Sequence, residues 1–415
     1  MQKSIVTLIL VVVLCIGSFL TCFLPAAMAA SSSEAEKVLK IGFVSTLSGP
    51  VATAGKQMVN GIQLYADEVH HKFAGRPVQL IVENDEGNPA TAIAKVRKLV
   101  EQDKVDVLAG VLLANIGYAV APVVDQLQVP MLYPVSAADD LTKHQHHKWV
   151  IRNGWSCSQP SHPFGEWVSK NLGYKKIVTF ANDYPFGYEC VGGFQKSFEE
   201  SGGKIVQKIW APLGFTDFTS AIKSIHKDAD AVFLVTVGAS ADIIPKQFKE
   251  MGMNLPILAT VTSFDEFVLP DIGDKVVGGV SASIYSAALN TPDNQKFAGA
   301  YRRAYHEEPN YYAESCYTTG MWIEKALEAT KGDVSNKEAF LAALKGVELR
   351  NAPRGPLKLD EFGNPIQNIY IRKVTKVNGK YENKVTDTIQ NVSQFWKYKP
   401  SEFLKQPVYS KDYPQ

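Results

Sequence analysis

The chain has 415 residues and sets 43 Lys and Arg against 42 Asp and Glu, a formal net charge of +1. That balance excludes the cationic excess of a general nucleic-acid binder. The length exceeds what one hydrophobic core usually holds, so two domains are expected.

The chain opens with a single cation, Lys3, then an almost unbroken apolar run from Ile5 to Leu24. Pro25 ends the run, and Ala27-Met28-Ala29 supplies the small-x-small pattern read by a signal peptidase. Residues 1–29 are read as a signal peptide cut after Ala29. Two alternatives stand beside it. A run of about 20 apolar residues can also span a bilayer as a retained anchor, although no Lys or Arg follows it until Lys37. Cys22 could carry lipid, although Thr21 directly before it fits a lipobox poorly. Of five cysteines, Cys15 and Cys22 lie in the leader and Cys157, Cys190 and Cys316 remain. Three cannot all pair with one another, so at least one is free or pairs with another chain, and no disulfide framework exists.

The first strand is expected at Leu39–Val44, followed by the turn-rich Ser45–Pro50 and a helix bearing Val59, Ile62, Ala66 and Val69 on one face. A break at Phe73–Pro77 leads to a strand over Val78–Val82. Pro89 opens a helix with Ile93, Val96, Leu99 and Val100 inward. Val105–Gly110 reads as a strand, Ala114–Leu127 as a helix and Pro130–Tyr133 as a short strand. Alternating strands and helices argue for a parallel sheet with covering helices.

The plan then restarts. Strands are expected at Ile177–Ala181, Ile205–Trp210, Ala231–Val237 and Ile257–Thr260. Helices are expected at Tyr188–Glu200, around Phe218–Ile225 and at Ala241–Met251. A helical block follows at Pro292–Tyr305, Tyr312–Ala329 and Lys337–Leu344, then strands at Pro356–Leu359 and Ile369–Val374. The tail from Ser393 is dense in aromatic residues and reads as an ordered strap.

No enzyme signature stands out. Gly154-Trp155-Ser156-Cys157-Ser158 lacks the last glycine of a nucleophile elbow, and neither a dinucleotide fingerprint nor a phosphate-binding loop is present. His144, His146 and His147 could suggest metal, but Asp139, Asp140 and Lys143 around them read as a solvated loop, and no further ligand completes a set. Cys157 has no base beside it and reads as a buried thiol. No catalytic residue, metal or cofactor is expected.

The remaining candidates are loops at the carboxyl ends of strands, where open α/β sheets bind ligands. In the first unit these contain Ser48, Leu113, Asn115, Ser136 and Ala137. Two lead toward helix N-termini, where free N–H groups and the helix dipole receive an anion. Asn115 reads equally as a helix cap and Ser136 as a turn residue. In the second unit the loops carry Tyr184, Phe186, Gly238 and Thr262, with more aromatic and small groups than charge.

These segments carry a resemblance. Ile41–Gly55 (IGFVSTLSGPVATAG), Val105–Asn115 (VDVLAGVLLAN), Val129–Ala137 (VPMLYPVSA), Asn182–Glu189 (NDYPFGYE) and Pro353–Pro365 (PRGPLKLDEFGNP) are similar to the Leu/Ile/Val family of periplasmic substrate-binding proteins of ABC transporters. The resemblance implies an α/β fold of two doubly wound Rossmann-like lobes joined by a three-stranded hinge, the periplasmic binding protein type I architecture. It implies lobe 1 at 38–152 plus 288–364, lobe 2 at 153–287 plus 365–395, and a C-terminal strap at 396–415. It places carboxylate-binding positions on Ala114, where many members have serine, and on Ser136 and Ala137. It puts an aromatic wall on Phe186 and Tyr312, with Trp155 and Tyr184 expected beside them. The position that receives an α-ammonium in amino-acid binders falls near Val261-Thr262, and no acid occurs until Asp265. The aromatic-acid branch is the more similar, including its segment around Tyr184–Glu189 and the Ser393–Trp396 tail. The implied protein is a monomer of the periplasm that binds a small molecule, meets ABC permease subunits and touches no nucleic acid. A branched-chain amino acid or amide ligand, or a ligand-sensing role on the same fold, stays open at this point.

Overall fold

The structure is a computed structural model that describes residues 38–414. The signal peptide reading lies outside them. No described helix is long and apolar enough to cross a membrane.

The first half runs β1 (Leu39–Ser45), α1 (Ala52–Glu68), β2 (Lys72–Phe73), β3 (Arg76–Asn84), α2 (Pro89–Glu101), β4 (Val107–Gly110), α3 (Ala114–Leu127), β5 (Met131–Leu132) and β6 (Val150–Ile151). These strands form one sheet in the order β2-β3-β1-β4-β5-β6. Every neighbour pair is parallel except the β2–β3 hairpin. Local chemistry accounts for the helix starts. Asn88 caps α2 by accepting from the N–H groups of Ala90 and Thr91, and Pro89 occupies the first helical position, where no N–H is needed. Ala92, Val96 and Leu99 then share the buried face of α2.

The second half runs α4 (Ser158–Trp167, with one wider turn to Leu172), β7 (Lys176–Asn182), α5 (Pro185–Glu200), β8 (Lys204–Ala211), α6 (Thr219–Lys223), β9 (Ala231–Val235), α7 (Ala239–Glu250), β10 (Ile257–Ala259), α8 (Leu269–Val276) and β11 (Val280–Ser283). Helices α9 (Pro292–Tyr305), α10 (Tyr311–Ala329) and α11 (Lys337–Lys345) follow, then β12 (Glu348–Leu349), β13 (Leu357–Leu359), β14 (Pro365–Val377), β15 (Lys380–Val392) and α12 (Pro400–Phe403). The second sheet orders its strands β12-β13-β14-β11-β10-β9-β7-β8, with β15 paired to β14. Two sheet-containing lobes therefore share one chain, as expected.

The helical block α9–α11 returns to the first lobe. Helix α10 lies against α1 at a distance only glycine permits: a Cβ on Gly61 would sit 2.0 Å from the Ala313 carbonyl oxygen. The chain then goes back to the second sheet at β12. It crosses between lobes after β6, after β11 and between α11 and β14. Two of these crossings are stapled together. The Gln367 side-chain amide donates to the Gly154 carbonyl at 2.8 Å, and that of Gln159 donates to Pro365 and Val392 carbonyls at 2.6 and 2.8 Å. Arg354, fully buried, donates to Glu314 at 3.2 Å and to the Asn153 carbonyl. Removing one partner of such a buried pair leaves an uncompensated charge, so the crossing is specified strongly.

Several elements differ from expectation. The break at Phe73–Pro77 contains the short β2 and the start of β3. Helix α5 starts at Pro185, three residues before the expected Tyr188, because proline suits the first helical position. The expected helix around Phe218–Ile225 is five residues long. Helices α4 and α8 and strands β11 and β15 add to the expected set. Helix α4 holds Pro160 and Pro163 in its sequence, and β15 is largely exposed, so its pattern is mostly polar.

Candidate functional site

The carboxyl ends of β4, β5, β7, β9 and β10 face a common space between the lobes. There a small cavity lies, with about 10 Å³ of open volume. The first lobe contributes Leu112, Ala114, Val135 and Ala137; the second contributes Tyr184, Phe186, Val237 and Thr262. Trp155, after β6, and Tyr311 and Tyr312, opening α10, complete the lining. None of these side chains is an acid, a lysine, an arginine or a histidine.

The rings form a continuous apolar wall. Trp155 meets Phe186 edge-on at 6.2 Å and Tyr311 at 5.9 Å. Tyr184 lies 5.7 Å from Phe186, and Tyr311 lies 4.0 Å from Tyr312. Such contacts hold each ring in one orientation.

Helix starts surround the same space. Ala114 is the first residue of α3, Phe186 the second of α5, Val237 stands just before the Gly238 that caps α7, and Tyr311 is the first residue of α10. Helices α3, α5 and α7 carry no side-chain cap. The first N–H groups of α3 therefore lack an intrahelical partner, whereas α5 opens on Pro185, which has no N–H, and the first N–H of α7, that of Ala239, donates to the Pro50 carbonyl. Each helix start also carries a partial positive charge, and together these favour an anion.

Two buried polar atoms of the lining, the Trp155 indole nitrogen and the Tyr312 hydroxyl, have no hydrogen-bond partner. Buried polar groups are ordinarily paired, so each marks a place where a ligand polar atom would be accommodated. Behind the rings sits Asp265, fully buried, with one carboxylate oxygen also unpartnered. Burial, then the neighbouring Glu266, raises its pKa well above the ordinary carboxylate range. Glu266 pairs with buried Arg372 at 3.4 Å and belongs to the frame of the second lobe.

The expected site residues divide into those on the lining and those supporting it. Ala137, Trp155, Tyr184, Phe186, Thr262 and Tyr312 line the cavity. Leu113 is the residue before α3 and is buried. Asn115 is the second residue of that helix and not its cap; its side-chain oxygen is buried without a partner. The Ser136 hydroxyl donates to the Leu113 carbonyl at 3.3 Å and shapes the turn behind the lining. Ser48 is exposed and its hydroxyl accepts from Asn84 at 3.1 Å, away from the cavity. Gly238 forms an interlobe contact: the Ala239 N–H donates to the Pro50 carbonyl at 3.3 Å. Sequence reasoning left Leu112, Val135, Val237 and Tyr311 out of the site. The first three are the apolar residues ending strands or following them, and Tyr311 stands beside the expected Tyr312.

The histidine loop is spread over separate partners. His144 meets Asp140 at 2.7 Å, and His147 meets Asp125 at 2.9 Å. Cys157 is fully buried, and its thiol pKa is raised by that burial.

Residues 38–380 match the family model described as periplasmic binding protein. A Leu/Ile/Val-binding protein homolog 6 from Brucella suis is 30% identical over 377 residues, covering 88% of this chain and 94% of the relative. A solved ABC transporter substrate-binding protein from Sphaerobacter thermophilus is 33% identical with a TM-score of 0.81, covering 86% of this chain and 99% of that one. A solute binding protein of an ABC transporter from Rhodopseudomonas palustris BisB5, solved in complex with 3,4-dihydroxybenzoic acid, is 30% identical with a TM-score of 0.82, covering 86% and 98% of the two chains. These relatives are substrate-binding transport proteins and not enzymes.

Proposed function

Because this chain belongs to the periplasmic binding protein family, we propose that it captures a small aromatic carboxylate between its lobes and passes it to ABC permease subunits. The observation that carries the reading is the composition of the cavity. Helix starts around the cavity supply positive potential, and Trp155, Tyr184, Phe186, Tyr311 and Tyr312 supply ring faces and edges. No ionised side chain stands in the lining to neutralise an α-ammonium. Burying an ammonium without a counter-charge costs several kcal/mol, on the order of its effective desolvation penalty. An aromatic acid has no ammonium to neutralise.

The 3,4-dihydroxybenzoic acid held by the Rhodopseudomonas relative supports the same ligand class. In this reading the carboxylate sits by the start of α3, at Ala114 and the neighbouring Ala137. The ring lies against Trp155, Phe186 and Tyr312, and polar substituents reach the Trp155 nitrogen and the Tyr312 hydroxyl. Ligand binding draws the lobes together about the three crossings. The protein works outside the cytoplasm, and its leader is removed after Ala29.

A thermal-shift screen of amino acids, amides, aliphatic acids and benzoate-like acids tests the reading. A ligand at 100 times its dissociation constant adds about 2.7 kcal/mol of stability. Stabilisation by hydroxybenzoates is expected; stabilisation by free amino acids alone would overturn it.

A further inference from the structure

Cys157 and Cys190 lie on neighbouring helices of the second lobe. Cys157 is the residue before α4, and Cys190 belongs to the second turn of α5. Both are fully buried. The Cys190 sulfur is 3.5 Å from the Cys157 carbonyl oxygen, and the two thiols are close enough to perturb each other's ionisation. The charged groups near Cys316 are Glu314 and Arg354.

We propose that in the exported protein Cys157 and Cys190 are joined in a disulfide that ties the start of α4 to α5. The inference rests on the extracytoplasmic location that the family implies, and not on the identity of the ligand. Thiols held reduced in a cytosol are exposed to oxidation in a periplasm. Helices α4 and α5 pack closely. A Cβ on Gly193 of α5 would sit 2.8 Å from the Ser158 Cβ of α4, and a Cβ on Gly165 of α4 would sit 2.3 Å from the Phe194 carbonyl oxygen. Glycines on both helices thus bring the two backbones together, and a disulfide requires Cα atoms within about 7 Å. Pairing of these two also settles the odd count, since Cys316 remains a thiol.

The reaction is an exchange. One cysteine, as thiolate, attacks a protein or small-molecule disulfide and releases one of its sulfurs as a thiol. The second cysteine then attacks the mixed disulfide and releases the other. The chain loses two protons and two electrons, and the incoming disulfide becomes a dithiol. In the folded lobe burial holds both thiols protonated. The exchange therefore belongs to folding, before α4 and α5 close over the sulfurs, and burial afterwards shields the bond from reductant. Its position gives it a consequence for the site. Cys157 follows Trp155 by two residues and Cys190 follows Phe186 by four, so the bond joins the segments that carry two facing rings of the cavity, 6.2 Å apart.

The test is a thiol count on the full chain recovered from the periplasm of an expressing bacterium. The sample is denatured in acid, alkylated without reductant and digested. The expected result is one alkylated cysteine, Cys316, and a peptide cross-link between Cys157 and Cys190. Reductant should lower the melting temperature of this protein and leave that of the Cys157→Ser, Cys190→Ser double variant unchanged. Three alkylated thiols, or a cross-link that includes Cys316, would overturn the proposal. Neither result bears on which ligand the cavity takes.

Discussion

Gly238 offers a sharp test of closure. It stands at φ +59° and ψ −139°, a region that residues with a Cβ avoid. A Cβ there would lie 2.4 Å from the Pro50 carbonyl oxygen and 2.9 Å from the Val51 Cγ1. Pro50 and Val51 follow β1 of the first sheet, whereas Gly238 follows β9 of the second, so the clash exists only where the lobes meet. Two costs separate in Gly238→Ala. Backbone strain of about 1–3 kcal/mol is present whether the lobes are together or apart, and lowers stability without changing affinity. The overlap with Pro50 falls on the closed form alone. Overpacking of this kind costs about 1–3 kcal/mol, and loss of the Ala239-to-Pro50 hydrogen bond adds about 1 kcal/mol. Together they predict a loss of affinity of roughly 30- to 1,000-fold, since 1.4 kcal/mol is tenfold. Calorimetry with 4-hydroxybenzoate on the wild type and Gly238→Ala reads it directly, with small-angle scattering to follow compaction. An affinity within threefold of wild type would refute the closure argument.

Other outcomes follow from the same geometry. Phe186→Ala and Tyr312→Ala should each weaken binding of an aromatic acid by at least about 1–2 kcal/mol, through lost ring contacts and buried area. Ser136→Ala should weaken it by less than about 1 kcal/mol, because its hydroxyl serves the Leu113 carbonyl and backbone N–H groups remain; titration calorimetry ranks the three. Glu189 accepts from Tyr118 at 2.6 Å and from the Asp139 N–H at 2.9 Å. Burial, then the charge of Asp139, raises its pKa to about 8. The folded protein therefore holds a proton that the unfolded chain has released. The resulting stability is full below the unfolded pKa and is lost as pH rises through the folded value. Melting temperatures taken from mildly acidic to mildly alkaline pH should fall, and Glu189→Gln should flatten that slope. Tyr409 lays its ring over Gly192 and donates to or accepts from His162 at 2.8 Å. Tyr409→Ala should cost about 3–5 kcal/mol in a denaturant melt, the range for a large aromatic truncation.

The α/β alternation of the first half was legible because each strand is a short apolar run bounded by turn residues and each helix keeps its apolar residues three or four apart. Pro292–Tyr305 was legible to the residue, since Thr291 caps it and Pro292 opens it. Strand β15 was not, because its residues are largely exposed and polar and its pairing with β14 is a long-range fact. Helix α4 was hidden by Pro160 and Pro163, which read as breaks. In the site, aromatic residues after strand ends were visible as candidates. Ser48 shared that position in the chain, yet its side chain turns to Asn84. Val135, Val237 and Tyr311 look like ordinary core residues in sequence, and only the meeting of the lobes distinguishes them. Asp265 is the first acid after the Val261-Thr262 position, and the turn after β10 packs it beside Tyr311 and Tyr312.

The central claim is that the cavity receives a carboxylate and a ring without needing an acid for an ammonium. Titration calorimetry of the purified protein against benzoate, 4-hydroxybenzoate, leucine and valine, under one buffer, tests it most directly. Micromolar or tighter binding of an aromatic acid, with no heat from leucine or valine, is the predicted result. Tight leucine or valine binding with no response to either aromatic acid would contradict it.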